Sequence, residues 1–258
     1  MRFALLFVVA VAAFAARAET EPRVALVIGN AAYTAPEPAL RNPVNDAQAV
    51  AQALQEAGFS VKLVADADHA SMRRAVREFE DMLRKQKGVG FFYFAGHGMN
   101  VEGHNFLVPI GAHLQSEDEA LERAIDANQL IIRLRDTGSR LNIVVLDACR
   151  DNPLTKPQFA ARGAAAPSPE GLAPMRPASG TLVAFAAEPG RIAGDGTGER
   201  GLYARHLVRF IRTPGLSLEQ VFKRVREAVE QETRGAQVPV EFSTLTGGDF
   251  YFLTAGGK

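Results

Sequence analysis

The sequence has one cysteine, no tryptophan and no surplus of either charge. A single thiol leaves no internal disulfide to staple the fold. Stability must come from burial, and 47% apolar residues over 258 positions suit one sizeable α/β domain rather than two. Lysine and arginine together number 29, as do aspartate and glutamate. No basic run or basic excess is present, so the sequence lacks the counterion-releasing surface that nucleic-acid binding requires. The N-terminal apolar run, Phe3 to Phe14, has 12 residues, short of the roughly 20 that a membrane-crossing helix needs. Arg2 precedes it and Ala16-Arg17-Ala18 follows, so residues 1–18 read as a secretory signal peptide with an A-x-A cleavage site. An uncleaved N-terminal anchor is the alternative. Cleavage would remove Arg2 and Arg17 from the 29 basic residues and leave 27 against 29 acidic ones. The expected product is near-neutral, periplasmic or secreted, and free of a membrane span. In an oxidising compartment a lone thiol is a liability, so its retention points to use.

That thiol closes the stretch Asn142-Ile143-Val144-Val145-Leu146-Asp147-Ala148-Cys149-Arg150-Asp151. Ile143 to Leu146 has the uninterrupted apolar character of a strand buried on both faces of a parallel sheet. Cys149 would then stand at a strand's carboxyl end, where open α/β sheets bind ligands. A second run of this kind, Val89-Gly90-Phe91-Phe92-Tyr93-Phe94-Ala95, leads into Gly96-His97-Gly98. Two parallel strands would bring His97 beside Cys149. A thiolate rather than a thiol is the nucleophile, and a neighbouring imidazole can take its proton and later protonate a leaving amine. The competing reading is a buried structural cysteine near a core histidine.

A histidine 52 residues before an Asp-Ala-Cys-Arg-Asp core resembles the caspase-like cysteine peptidases, whose histidine precedes the cysteine by about 50 residues. It is most similar to their bacterial metacaspase-type members, which share the aromatic strand before Gly-His-Gly and an Asp two places before the Cys. The resemblance runs through Pro43-Val44-Asn45-Asp46-Ala47 and Asn105-Phe106-Leu107-Val108-Pro109 to Gly248-Asp249-Phe250-Tyr251-Phe252. It implies a caspase-like three-layer sandwich, a six-stranded, mainly parallel sheet flanked by helices. It also implies an endopeptidase acting on peptide or protein, with backbone N–H groups of Gly98 and Cys149 as the oxyanion hole. Metacaspases cut after Arg or Lys and carry acids matching Asp46 and Asp147, so those two residues are expected to bind substrate. Asp46 also fits a helix N-cap, and Asp147 a structural hydrogen bond at the strand end. Ala95 departs from the Ser common in metacaspases, which keeps a non-catalytic caspase-fold binding module as the alternative.

The rest of the chain reads as one domain over 22–253, divided into a large-subunit-like part (22–153), a Pro- and Ala-rich flexible linker (154–180) and a small-subunit-like part (181–253). Strands are expected at 23–29, 59–64 and 181–186. Helices are expected from Asn45-Asp46 to about Ala57, from Ser71 to about Lys85, over 128–136, over 203–211 and over 218–229. A hairpin is expected between Met99 and Ile110, a solvated acidic loop at Ser116-Glu117-Asp118-Glu119 and a last strand at Phe250–Leu253. Lys156, Arg162 and Arg176 in the linker suit the self-processing seen across the family. His97, His104, His113 and Cys149 show neither the Cys-x-x-Cys nor the His-x-x-x-His spacing of a zinc site. No metal or cofactor is therefore expected. His69 and His206 are expected on helix surfaces. If residues 1–18 are a cleaved leader, N-terminal sequencing of the extracytoplasmic protein will begin at Glu19; finding Met1 there contradicts cleavage.

Overall fold

The computed structural model describes residues 21–149, 172–188 and 198–256. The first strand, β1 (Arg23–Gly29), is followed by α1 (Pro43–Glu56), β2 (Ser60–Ala65), α2 (His69–Gln86) and β3 (Val89–Val101). Then come β4 (His104–Leu107), α3 (Glu117–Arg123), β5 (Ile125–Asp126), α4 (Ala127–Arg135) and β6 (Leu141–Cys149). After residue 180 the chain forms β7 (Thr181–Phe185), α5 (Leu202–Ile211), α6 (Leu218–Thr233) and β8 (Val240–Ser243). The main sheet has the order β2-β1-β3-β6-β7-β8. Its first five strands are parallel and β8 joins β7 antiparallel. This is the six-stranded, mainly parallel sheet expected.

The central strands are apolar on both sides because helices cover both faces. Ala25, Val27, Phe91, Tyr93, Ile143 and Val145 pack beneath α1, α5 and α6. Their neighbours in sequence, such as Leu26, Phe92, Phe94, Val144 and Leu146, pack beneath α2 and α4. β3 continues past the main sheet and folds back on β4, with Gly98 opposite Leu107. The turn of that hairpin holds Glu102 and Gly103 at φ values of 50° and 83°, the left-handed pair a tight hairpin favours.

Four sequence expectations change. First, α1 opens at Pro43, three residues before Asp46, since proline presets φ for the first helical turn and its missing N–H costs nothing there. Asp46 is therefore no N-cap: the cap position is Asn42. Second, the acidic loop is helix α3, capped by Ser116, whose side chain accepts from Glu119 N–H while Glu119 accepts from Gln115 N–H; acids suit the positive end of the helix dipole. Third, the last strand is Val240–Ser243 rather than Phe250–Leu253. Carbonyls of Tyr251 and Phe252 accept from the Arg23 guanidinium, which also sits 4.7 Å from the centre of the Phe250 ring. Phe250 and Phe252 are buried against Phe59 instead of pairing along a sheet edge. Fourth, His206 is buried rather than on the surface, with Nε2 2.9 Å from Glu232 Oε2 of the neighbouring helix.

Of the Pro- and Ala-rich stretch 154–180, residues 154–171 lie outside the described residues, and Lys156 and Arg162 with them. From Leu172 onward the chain is anchored to the core. Leu172 and Met175 are buried in the core, and Asn105 holds Ala173 by two reciprocal hydrogen bonds of 2.9 and 2.6 Å. Arg176 is exposed.

Two buried tyrosines stand in the core beneath α1 and α5, and they differ. Tyr93 donates to Asp147 Oδ2 at 2.8 Å, whereas the Tyr203 hydroxyl has no hydrogen-bond partner among the described residues. Burial first, and Asp147 second, raises both phenols well above the ordinary value of 10.0. The unfolded chain therefore loses these protons first, and stability falls as pH rises past about 10. Denaturant titrations will show Tyr93→Phe costing about 1–3 kcal/mol, since the half-buried Asp147 carboxylate loses a donor. Tyr203→Phe will be neutral or stabilising by up to about 1 kcal/mol, since only an unsatisfied hydroxyl goes.

Candidate active site

The site is built where β3 and β6 end. Nine parallel register pairs join them, from Val89 opposite Leu141 to Ala95 opposite Asp147 and His97 opposite Cys149. Neighbouring strands lie about 4.8 Å apart, so the sheet brings the only cysteine and His97 together as backbone neighbours. The Cys149 side chain lies outside the described residues.

His97 is 1% exposed and is held on three sides. Its N–H donates to the Tyr33 hydroxyl at 3.0 Å. Its carbonyl accepts from Val108 N–H at 3.0 Å. Its Nε2 lies 2.7 Å from the Pro38 carbonyl oxygen. A carbonyl oxygen has no proton to give, so Nε2 carries the hydrogen and Nδ1 is the basic nitrogen of the neutral ring. The glycines flanking His97 serve close approach. A Cβ on Gly96, whose φ is +156°, would come within 2.7 Å of the Tyr33 hydroxyl. One on Gly98 would lie 3.0 Å from Ala148 Cβ and 3.1 Å from Leu172 Cδ2.

The two acids expected to bind substrate converge from different elements. Asp147 is on β6 and accepts from Tyr93; Asp46 is 4% exposed on α1 and its Oδ1 accepts from Gly201 N–H at 2.8 Å. Both carboxylates act on the buried Tyr93 hydroxyl, raising it, Asp147 more strongly than Asp46. The preceding residue, Asn45, donates to the Glu199 carbonyl at 3.1 Å, so α1 grips the 199–201 segment twice. A Cβ on Gly201 would lie 2.7 Å from Asp46 Oδ2, so a larger residue there would displace the carboxylate.

The other histidines stay apart from this site. His104 Nδ1 is 3.3 Å from Asp126 Oδ2, and His113 Nδ1 donates to the Ala35 carbonyl at 2.9 Å. His69 is half-exposed at the start of α2. Among the described residues no three His, Cys, Asp or Glu side chains are grouped to hold a metal ion. Tyr33, Pro38, Tyr93 and Gly201 are contributors that sequence reasoning missed. A lone hydroxyl inside the apolar run 89–95 was a signal for Tyr93; the other three become visible only through contacts across the fold.

Comparison with known proteins bears on the family and the fold. Residues 22–251 match the family model described as "Caspase domain". The human protein "Mucosa-associated lymphoid tissue lymphoma translocation protein 1" is 33% identical over 129 residues, 50% of this chain and 15% of that protein. Its mouse homolog matches to the same extent. The chain thus spans about 15% of the length of these curated relatives. The crystal structure of the Drosophila initiator caspase Dronc superposes with a TM-score of 0.62 at 14% identity, covering 89% of this chain and 82% of that one. The fold and a family match across nearly the whole described sequence assign this chain to the caspase-like family of cysteine peptidases.

Proposed function

We propose that this chain is an exported cysteine endopeptidase in which Cys149 is the nucleophile and His97 the acid and base, and that it cuts after Arg and secondarily Lys. The observation that carries the mechanism is the register pair His97–Cys149 at the carboxyl end of the central strands. In the acylation step Nδ1 of His97 takes the thiol proton and the sulfur attacks the scissile carbonyl carbon. The carbon–nitrogen bond then breaks, the imidazolium gives its proton to the departing amine, and a thioester remains. Water, deprotonated by the same nitrogen, attacks the thioester and releases the acid and the thiol. Amide N–H groups of Gly98 and Cys149 would hold the oxyanion; one such donor lowers a barrier by about 3 kcal/mol. The Pro38 carbonyl favours the imidazolium, because its hydrogen bond with Nε2–H strengthens as the ring gains charge.

Specificity for a basic residue is supported by the convergence of Asp46 and Asp147 on one side of the sheet. Two partly desolvated carboxylates suit a guanidinium, through charge-assisted and potentially bidentate hydrogen bonds, and repel an acidic side chain. Export rests on the leader-like residues 1–18. Among the described residues no helix is long and apolar enough to cross a membrane.

Cys149→Ala and His97→Ala will each lower kcat/KM on a fluorogenic peptide by at least about 1,000-fold, since nucleophile and base act as one unit. A thiol-directed reagent will titrate one site per wild-type chain. Retained turnover in either variant removes the mechanism, and titration without peptide turnover favours a binding module. Peptides differing only at the residue before the cut will rank Arg above Lys and both far above Asp. Asp46→Ala and Asp147→Asn will each reduce the Arg advantage about 100-fold, roughly 2.7 kcal/mol. Faster turnover of Asp than of Arg overturns the assignment.

A further inference from the structure

The geometry points to Tyr33 as a positioning residue for His97, its hydroxyl setting where the imidazole stands and how readily it holds a proton. This rests on the reading of His97 as the base. Tyr33 is 4% exposed, and its hydroxyl serves two backbone groups eleven residues apart. It accepts from His97 N–H at 3.0 Å and donates to the Val108 carbonyl at 2.8 Å. Val108 N–H in turn donates to the His97 carbonyl. Both backbone groups of His97 are thereby clamped to Val108, one directly and one through the phenol oxygen. The ring of Tyr33 meanwhile lies 4.4 Å from the imidazole, centroid to centroid, tilted at 58°.

Two further features show that this arrangement is built. Gly96 leaves the room: any Cβ there would stand 2.7 Å from the Tyr33 oxygen. The loop carrying Tyr33 also carries Pro38, whose carbonyl meets Nε2, and it is fastened at several points. Asp66 Oδ1 accepts from Ala31 N–H and Ala32 N–H, at 2.8 and 2.9 Å. Leu40 N–H donates to the Ala31 carbonyl at 3.0 Å. The buried Glu37 accepts from Leu114 N–H at 2.7 Å. Tyr33 and Pro38 therefore move with one rigid loop, and the imidazole is gripped between a phenol and a carbonyl at a fixed separation. Removing the phenol oxygen takes an acceptor from the His97 N–H and leaves the strand end carrying the base with one of its two links to Val108.

The test is Tyr33→Phe, which keeps the ring against the imidazole and deletes only the oxygen. With the fold confirmed by thermal unfolding, kcat on an Arg peptide will fall about tenfold while KM changes less than about twofold, because the substrate pocket is untouched. The pH dependence of Cys149 alkylation will move by half a pH unit or more, because the imidazole's surroundings have changed. Wild-type kcat, or a lowered kcat with an alkylation profile that superimposes on wild type, overturns the inference and leaves Tyr33 a packing residue. Should Tyr33→Phe fail to fold, 3-fluorotyrosine placed at position 33 keeps the shape and makes the oxygen a weaker acceptor for His97 N–H. A displaced profile then supports the positioning role, and a superimposable one overturns it. Loss of turnover in His97→Ala beside normal behaviour of both Tyr33 variants would defeat this inference alone; retained turnover in His97→Ala would defeat the reading beneath it.

Discussion

The parallel pairing of β3 with β6 governs the rest of this molecule. Nine consecutive register pairs fix which residue of one strand meets which of the other, and the last of them sets His97 against Cys149. A slip by one residue would turn every side chain of a strand to the opposite face. Here both faces are buried under helices, so such a slip would set Phe91 and Tyr93 against α2 and Phe92 and Phe94 against α1. The register of the site is thus enforced by the packing of the core several residues away. Aromatic bulk along β3 does more than fill space: it makes misalignment of the two candidate catalytic positions costly.

Beyond the strand ends, buried polar side chains tie separate loops to the sheet. Asn30, fully buried after β1, exchanges hydrogen bonds with the Ala67 backbone and donates to the Val108 carbonyl. Tyr33 reaches Val108 as well, and Asn105 holds the segment after residue 171 through Ala173. Loops of this length have little apolar surface to bury, so hydrogen bonds in a low-dielectric interior are what can give them one conformation. Each of these contacts joins segments remote in sequence, and together they close the end of the sheet at which His97 and Cys149 lie.

The acids have their own scaffold. Tyr93 supports Asp147 from below, Gly201 holds Asp46 from the side, and Asn45 secures the same segment at Glu199.

The sequence by itself determined the five parallel strands of the main sheet, the helices that cover them and the two residues of the expected nucleophile and base. The runs 24–28, 91–95 and 143–146 are apolar throughout, α2 carries Met72, Val76, Phe79 and Leu83 on one buried face, and the signals are local. It also marked Asp46 and Asp147, through motifs around them. Tertiary structure decided what those motifs cannot encode. Phe250–Phe252 has strand-like composition, yet Arg23, more than 200 residues earlier, captures its carbonyls. His206 looks like a surface residue until α6 brings Glu232 to it. Tyr33 and Pro38 sit in a loop with no periodicity to read, and their meaning comes from reaching His97, about 60 positions later. Local patterns record what a residue needs from its neighbours in sequence, whereas hydrogen bonds across such distances depend on a backbone already folded, and only the packed chain supplies it.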